Sequence, residues 1–286
     1  VTDLVETFEA ERPRLLGLAY RMTGSRHDAD DILQEAWLRF EQNGKSLNIP
    51  AAWLTTVVTR LSIDRLRAVD RDRSRYVGPW LPEPTSLEPT PDGFIDTADS
   101  LTLAFLVVLD RLSPLERAAF VLVDVFREPY SSVAETLGRS EPACRQLVHR
   151  ARAGVRAAHE SALRPLDGDL LHRLVAALLD GDPDALLALL SPDVVLTSDG
   201  GPNRRAARRP VVGPQRVVRF LTNLSRREPD AMAVEGGVNY GACLFIHTKH
   251  GPMVVTGSAR GGAIASLTLM LNPDKVEGAE HPRAMR

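Results

Sequence analysis

Five prolines (Pro79, Pro82, Pro84, Pro89 and Pro91) stand between residues 76 and 100, and no regular helix runs through such a spacing. Proline fixes φ and removes a backbone donor, so this stretch is extended. Its charges are all acidic (Glu83, Glu88, Asp92, Asp96 and Asp99), with no lysine or arginine among them. A chain of 286 residues is thereby cut into a leading block, an acidic linker and a remainder long enough for two further units.

Hydrophobic residues make up 44% and charged residues 25%, which is globular composition and excludes wholesale disorder. The longest apolar run, residues 101–109, ends at Asp110 and is about half a membrane span. Val1-Thr2-Asp3 lacks the basic-then-apolar order of a signal peptide. Cys144 and Cys243 are too few for a disulfide framework or a zinc site. The expectation is a soluble cytoplasmic chain with no membrane contact, metal or cofactor. A net charge of −2 conceals clustering: 32 of the 35 basic residues are arginine, whose planar fork suits phosphates and base edges.

Four segments are expected: residues 1–75, the linker 76–100, residues 101–164, and residues 168–286 after the break Arg164-Pro165-Leu166-Asp167-Gly168. In the first, Ser25-Arg26-His27-Asp28 has capping-box spacing. Ile32, Leu33, Ala36, Trp37 and Phe40 then recur at helical spacing, opposite a face of Asp30, Asp31, Gln34, Glu35 and Leu38. Pro50 opens a second helix over residues 51–68. Its Trp53, Leu54, Val57, Val58 and Leu61 point inward, while Thr56, Thr59, Arg60, Arg65 and Arg67 lie on or near the outer side. In the third segment Ser113-Pro114-Leu115-Glu116 starts a helix. Residues 131–137, the turn Gly138-Arg139-Ser140 and residues 141–156 then follow as a helix-turn-helix with Ala134, Gly138 and Val148 at its crossing. The second helix hides Cys144 and Ala151 and exposes Arg145, Gln146, His149, Arg150 and Arg152.

These residues carry a resemblance. Asp28-Ala29-Asp30-Asp31-Ile32-Leu33-Gln34-Glu35-Ala36-Trp37-Leu38, then Ala52-Trp53-Leu54 through Ser62-Ile63-Asp64-Arg65-Leu66-Arg67, then Leu112-Ser113-Pro114-Leu115-Glu116-Arg117 through His149-Arg150-Ala151-Arg152, together resemble the extracytoplasmic-function (ECF) sigma factors of bacterial RNA polymerase. The match spans roughly residues 5–160. It implies core RNA polymerase and promoter DNA as partners, with Asp31, Gln34, Glu35 and Leu38 docking on a basic coiled coil of the polymerase. It places Asn43, Lys45 and Asn48, in the loop 42–49, at an unstacked base of the minus-10 element, with Arg60, Arg65 and Arg67 on the backbone. Arg145, Gln146, His149, Arg150 and Arg152 would meet the minus-35 major groove, some on phosphates and some on base edges.

About 120 residues remain. Leu170 to Leu187 resembles the opening helices of SnoaL-like (NTF2-like) α+β cones, followed by short β-type runs at 194–197, 242–248, 253–258 and 263–271. One branch of the sigma class carries this extension, and three further stretches match it: Trp80-Leu81-Pro82-Glu83-Pro84, Asp199-Gly200-Gly201 and Asn272-Pro273-Asp274-Lys275. Pro202 and Asn203 replace the last Gly and Lys of the branch's Asp-Gly-Gly-Gly-Lys motif, leaving Arg204 as the nearby cation. The fold expectation is therefore two all-α domains, sigma-2-like and sigma-4-like, followed by a cone. Those three stretches form a regulatory interdomain contact in this reading, and the built-in domain stands in for a separate anti-sigma protein. A small ligand in the cone remains open. Two other readings are a one-component regulator that senses a ligand, and a SnoaL-like isomerase or cyclase fused to a DNA-binding module. Against the enzyme, His247 and His250 lack a carboxylate nearby in sequence, and Tyr240 and Cys243 line a cavity or fill a core.

Overall fold

The computed structural model describes residues 4–73, 76, 78–85, 102–159, 164–239 and 241–276. The acidic half of the linker, from Glu88 to Asp99, lies outside them, as do Leu101, Tyr240 and the side chains of Lys45, Arg71, Arg73 and Arg75. Two compact units result. Of the described residues, 4–73 and 105–158 form one, and those within 76–85, 102–104 and 159–276 fall in the other.

The first unit opens with α1 (Leu4–Thr23), α2 (Arg26–Asn43) and α3 (Pro50–Arg73). Phe8, Trp37, Phe40 and Trp53 meet between them, with neighbouring ring centroids 5.1 to 6.4 Å apart. Such edge and tilted contacts add to burial of large apolar rings. Ser25 caps α2, its Oγ accepting from the Asp28 amide at 3.0 Å. The reciprocal half of the expected capping box gives way to a longer-range bond. Asp28 is nearly buried and accepts from Arg65 Nη2 at 2.6 Å, which ties α3 to α2.

Next come α4 (Leu103–Leu109), α5 (Pro114–Phe120), a wider turn at Val121–Val125, α6 (Tyr130–Leu137) and α7 (Glu141–His159). A complete capping box starts α5, with Ser113 and Glu116 bonding each other's backbone amides. Gly138 ends α6 at φ 61°, a left-handed conformation that suits glycine. Leu147 and Val148 on the inner side of α7 pack against Ala119 of α5. Arg117, only 3% exposed, joins the two helical blocks by donating to the carbonyls of Leu109 (2.8 Å) and Met22 (2.7 Å) and to Asp110 (3.0 Å).

The second unit is α+β. Helices α8 (Gly168–Leu179), α9 (Pro183–Leu189) and α10 (Pro214–Arg227) pack on a sheet of β1 (Arg164–Pro165), β2 (Leu190–Asp199), β3 (Val211–Val212), β4 (Met232–Val238), β5 (Gly241–Thr248), β6 (Gly251–Arg260) and β7 (Ala263–Met270), closed by α11 (Pro273–Val276). The strand order is β3-β2-β7-β6-β5-β4, with β1 beside β6, and only β2 and β7 run parallel. Register shifts at Leu190/Val195 and Ser258/Ala259 bend the strands, as bulges do. The four β-type runs of the sequence lie within β2, β5, β6 and β7. Short β3, the Gly-containing β4 and the Arg-rich α10 carry weaker local signals and emerge only in the fold.

Leu267 is fully buried among Leu171, Leu174, Leu196 and Ile264 in this core. Leu267→Ala is expected to cost about 2–5 kcal/mol, read as a lowered urea midpoint for the second unit.

Candidate nucleic-acid interface and linker clamp

On α2, the residues expected to meet polymerase share one exposed face: Asp31, Gln34, Glu35 and Leu38, the last 45% exposed. The acids are lightly paired within their own helix, Glu35 with Arg39 at 2.8 Å and Asp31 with His27 at 3.6 Å. Asp31 and Gln34 also line a groove of about 570 Å³ between α1 and α2, floored by Phe8, Leu33 and Trp37. A surface ion pair contributes little, so this face is inexpensive to re-pair with a cationic partner.

The expected minus-10 set does not form one free surface. Asn43 and Asn48 are exposed, and Asn43 donates back to the Arg39 carbonyl at 2.8 Å. Arg67 pairs with Asp64 at 3.3 Å, and Arg65 with Asp28. On the next part of α3 the expectation needs correction. Thr59 is fully buried, and Thr56 lies 3.1 Å from the Thr136 hydroxyl. Arg60 donates to the carbonyls of Thr136 (3.0 Å) and Glu135 (3.3 Å) at the end of α6. Carbonyls left over at a helix C-terminus attract such a cation. Here α6 lies against α3 at Thr56 and Arg60, although Arg60 itself stays exposed.

The outer face of α7 is exposed as the pattern required: Arg145, Gln146, His149, Arg150 and Arg152. Three of its arginines are held. Arg145 lies over the Tyr130 ring at 4.5 Å and pairs with Glu141 at 2.8 Å. Arg150 pairs with Glu116 at 3.0 Å. Arg152 grips both oxygens of Asp124, which raises its pKa. The wide turn at Val121–Val125 presents Asp124 for that grip.

In the second unit the three remaining stretches converge. Asp199 is 1% exposed, and its Oδ1 accepts from Tyr76 Oη at 2.5 Å and Gly201 N at 3.0 Å. Oδ2 accepts from Leu81 N at 2.9 Å and Lys275 Nζ at 2.7 Å. Lys275 also donates to the Leu81 carbonyl at 2.6 Å and stands over the Trp80 ring at 3.9 Å. Asn272 Nδ2 donates to Tyr76 Oη at 3.1 Å, and Asn272 Oδ1 accepts from Asp274 N at 3.3 Å, which fixes the turn at Pro273. Leu81, Pro82, Pro84 and Thr85 are buried and Glu83 partly so, with Thr85 and Asn239 exchanging bonds of 3.1 and 2.9 Å. Burial, then Asp199, push the Tyr76 phenol above its ordinary range, so it stays a donor.

The backbone here needs glycine. A Cβ on Gly200 would lie 2.3 Å from the Arg204 carbonyl, and Gly201, at φ 61°, sits against Asn272. The ammonium beside Asp199 comes from Lys275, far along the chain in the Asn272–Lys275 stretch. Arg204 instead donates to the carbonyls of Pro252 at 2.7 Å, Gly251 at 3.3 Å and Leu271 at 3.4 Å.

His250 does have a carboxylate partner, Glu228 at 2.6 Å, brought in by the fold from the end of α10. Cys243 is fully buried in β5, and desolvation pushes its thiol up to about 12, so it is a core residue rather than a nucleophile. Among the described residues no cluster has the makings of a metal site, and no helix is long and apolar enough to cross a membrane.

Comparison with known proteins defines the class. Residues 7–72 match sigma-70 region 2, and residues 102–153 match sigma-70 region 4. The chain is 41% identical over 294 residues to the ECF RNA polymerase sigma factor SigJ of Mycobacterium tuberculosis, covering 96% of this chain and 94% of the relative. It therefore belongs to the ECF sigma factors, which direct transcription initiation and are not enzymes. The probable ECF sigma factor SigI of the same species is 34% identical over 65% of this chain and 67% of its own length. The crystal structure of M. tuberculosis SigJ aligns with a TM-score of 0.77 at 37% identity, over 96% of this chain and 99% of that one. The one-component regulator and the fused cyclase are not favoured, since the likeness runs through all the segments.

Lys275→Met leaves Asp199 buried beside no cation. The expected loss is about 3–5 kcal/mol in chemical denaturation, part of it recovered by the double variant Asp199→Asn with Lys275→Met.

Proposed function

We propose that this sigma factor docks on core RNA polymerase through Asp31, Gln34, Glu35 and Leu38, reads the minus-35 element with α7, and reads the minus-10 element with residues 43–48 and α3. The observation that carries the minus-35 assignment is the row Arg145, Gln146, His149 and Arg150, exposed on the second helix of a helix-turn-helix whose turn is fixed by Gly138. Tyr130 and Glu141 hold the Arg145 guanidinium before DNA arrives, which lowers the ordering cost of a bidentate base contact. Arg152, doubly bound to Asp124, is better suited to bracing the helix. Activity in the cytoplasm follows from that role.

The regulatory part of the proposal concerns the linker. With Tyr76, Trp80, Leu81 and Thr85 fixed on the cone, the tether between α3 and α4 is shortened and its direction restrained. That changes the effective concentration of one DNA reader relative to the other. Arg60 adds a second restraint, because its bonds to the α6 carbonyls hold α3 against the helix-turn-helix. The cone takes the place of a separate anti-sigma protein in this reading. A small ligand acts on it only by binding the clamped and released states unequally.

Run-off transcription with core polymerase tests the first part. The wild-type chain is expected to give promoter-specific transcripts, and Arg145→Ala to cost about 1–3 kcal/mol of promoter affinity. Wild-type output from Arg145→Ala at every promoter removes that residue from base recognition. For the second part, Lys275→Met assayed at a temperature where it remains folded is expected to change transcript yield while retaining core binding in a pull-down. Unchanged yield removes the clamp from regulation.

A further inference from the structure

Elsewhere in the described structure arginines mostly sit with acids, commonly one helical turn away: Arg26 with Asp30, Arg39 with Glu35, Arg145 with Glu141, Arg173 with Asp169. One region breaks this habit. Residues 204–227 contain eight arginines and no acid. Arg204 is engaged by carbonyls, as described above. The other seven are exposed and make no ion pair among the described residues: Arg205, Arg208 and Arg209 in the loop after β2, and Arg216, Arg219, Arg226 and Arg227 on α10.

The helix organises four of them. At 100° per residue, Arg216, Arg219, Arg226 and Arg227 fall in one stripe together with Asn223, and at 1.5 Å per residue the stripe is about 16 Å long. The opposite side, Val217, Val218 and Leu221, is buried in the core, so the stripe cannot rotate away. Beside it lies a groove of about 300 Å³ against α9, where Gln215, Arg219, Thr222, Asn223 and Arg226 rim the apolar Pro183, Leu187 and Val218 with no acid among them. Glu228, the first acid after the stripe, has a side chain 9% exposed and turns inward to His250, so it does not neutralise the row. Seven unscreened like charges repel one another and weaken a compact fold. A polyanion relieves that repulsion. Guanidinium forks together with neutral amide and hydroxyl donors are the groups that take phosphate and sugar oxygens without reading sequence.

We propose that α10 and the loop before it form a third nucleic-acid contact, a sequence-independent grip on the sugar-phosphate backbone of duplex DNA outside the two promoter elements. It goes beyond the function proposed above and rests on it only for the presence of promoter DNA. A duplex carries a phosphate charge about every 1.7 Å of its axis, so a rigid stripe of this length meets several of them. Bound in this way, the cone adds affinity and salt sensitivity but no promoter preference.

The test uses holoenzyme assembled from core polymerase and the full chain, titrated with two promoter duplexes. One carries long flanks on both sides; the other is trimmed to the two elements and reports on the promoter readers alone. Arg216→Gln with Arg219→Gln and Arg226→Gln is expected to weaken binding to the flanked duplex about tenfold at moderate salt. The slope of log affinity against log salt should become shallower by about 2 to 3 units, with binding to the trimmed duplex unchanged. Equal affinity and slope on the flanked duplex overturn the proposal. So does an equal loss on both duplexes with weaker core binding in a pull-down, which makes the patch a protein contact. If the helix variant melts early by circular dichroism, Arg205→Gln with Arg208→Gln and Arg209→Gln carries the same test from the loop.

Discussion

A carboxylate and an ammonium removed from water set the terms for the second unit. Asp199 and Lys275 are 1% and 7% exposed, and burying two such charges costs several kcal/mol each unless the remaining bonding positions are filled. They are filled largely by the linker: the Tyr76 phenol, the Leu81 amide and the Leu81 carbonyl complete the set, and the Trp80 ring covers the ammonium. Neither charge has that environment without residues 76–81. Lifting the linker breaks several charge-assisted bonds together, so docking behaves as a step rather than a gradual loosening. A stepwise contact is the kind of element a regulatory equilibrium needs.

The helical unit treats its arginines differently, and the contrast bears on what a DNA contact would cost them. Arg60, Arg65, Arg67, Arg145, Arg150 and Arg152 are each occupied by a carbonyl or a carboxylate. Contact with phosphate is therefore an exchange in which an existing partner is given up, and its net gain is smaller than a count of cations suggests. Together with the net charge of −2, this favours recognition only when polymerase supplies additional binding energy and holds both readers.

How much of this was legible depended on how far apart the interacting groups lie in the chain. The helix-turn-helix was readable because Ser113, Pro114, Glu116 and Gly138 act within a few residues of themselves. So was the exposed face of α2, which follows from helical period alone. What lay beyond reach were pairings between distant segments. Thr59 read as outward-facing because the period of α3 says nothing about α6 arriving beside it, where the exposed Arg60 also finds its carbonyl partners. Asp199 seemed to lack its lysine because only the fold brings Lys275 beside it. His250 likewise meets Glu228 only once α10 is laid on the sheet. The burial of Tyr76 left no local trace in sequence.

The same polar inventory shows what the cone's buried groups are used for. A catalytic cone needs buried polar groups turned toward a substrate. Among the described residues most are turned toward the chain itself, and Glu228 Oε2 is left without a partner. Asp199, Lys275, Asn272 and Asn239 hold the linker; Ser258 and Ser266 bond each other at 2.6 Å; Thr256 donates to the Ala242 carbonyl at 2.9 Å. Leu166, just past β1, pairs with the Gly257 carbonyl at 3.1 Å and buries its side chain in the sheet core. The cone thus acts as a receptor for residues 76–85 of its own chain. In the proposed regulation, whatever releases the linker has to replace the bonds that Asp199 and Lys275 give it.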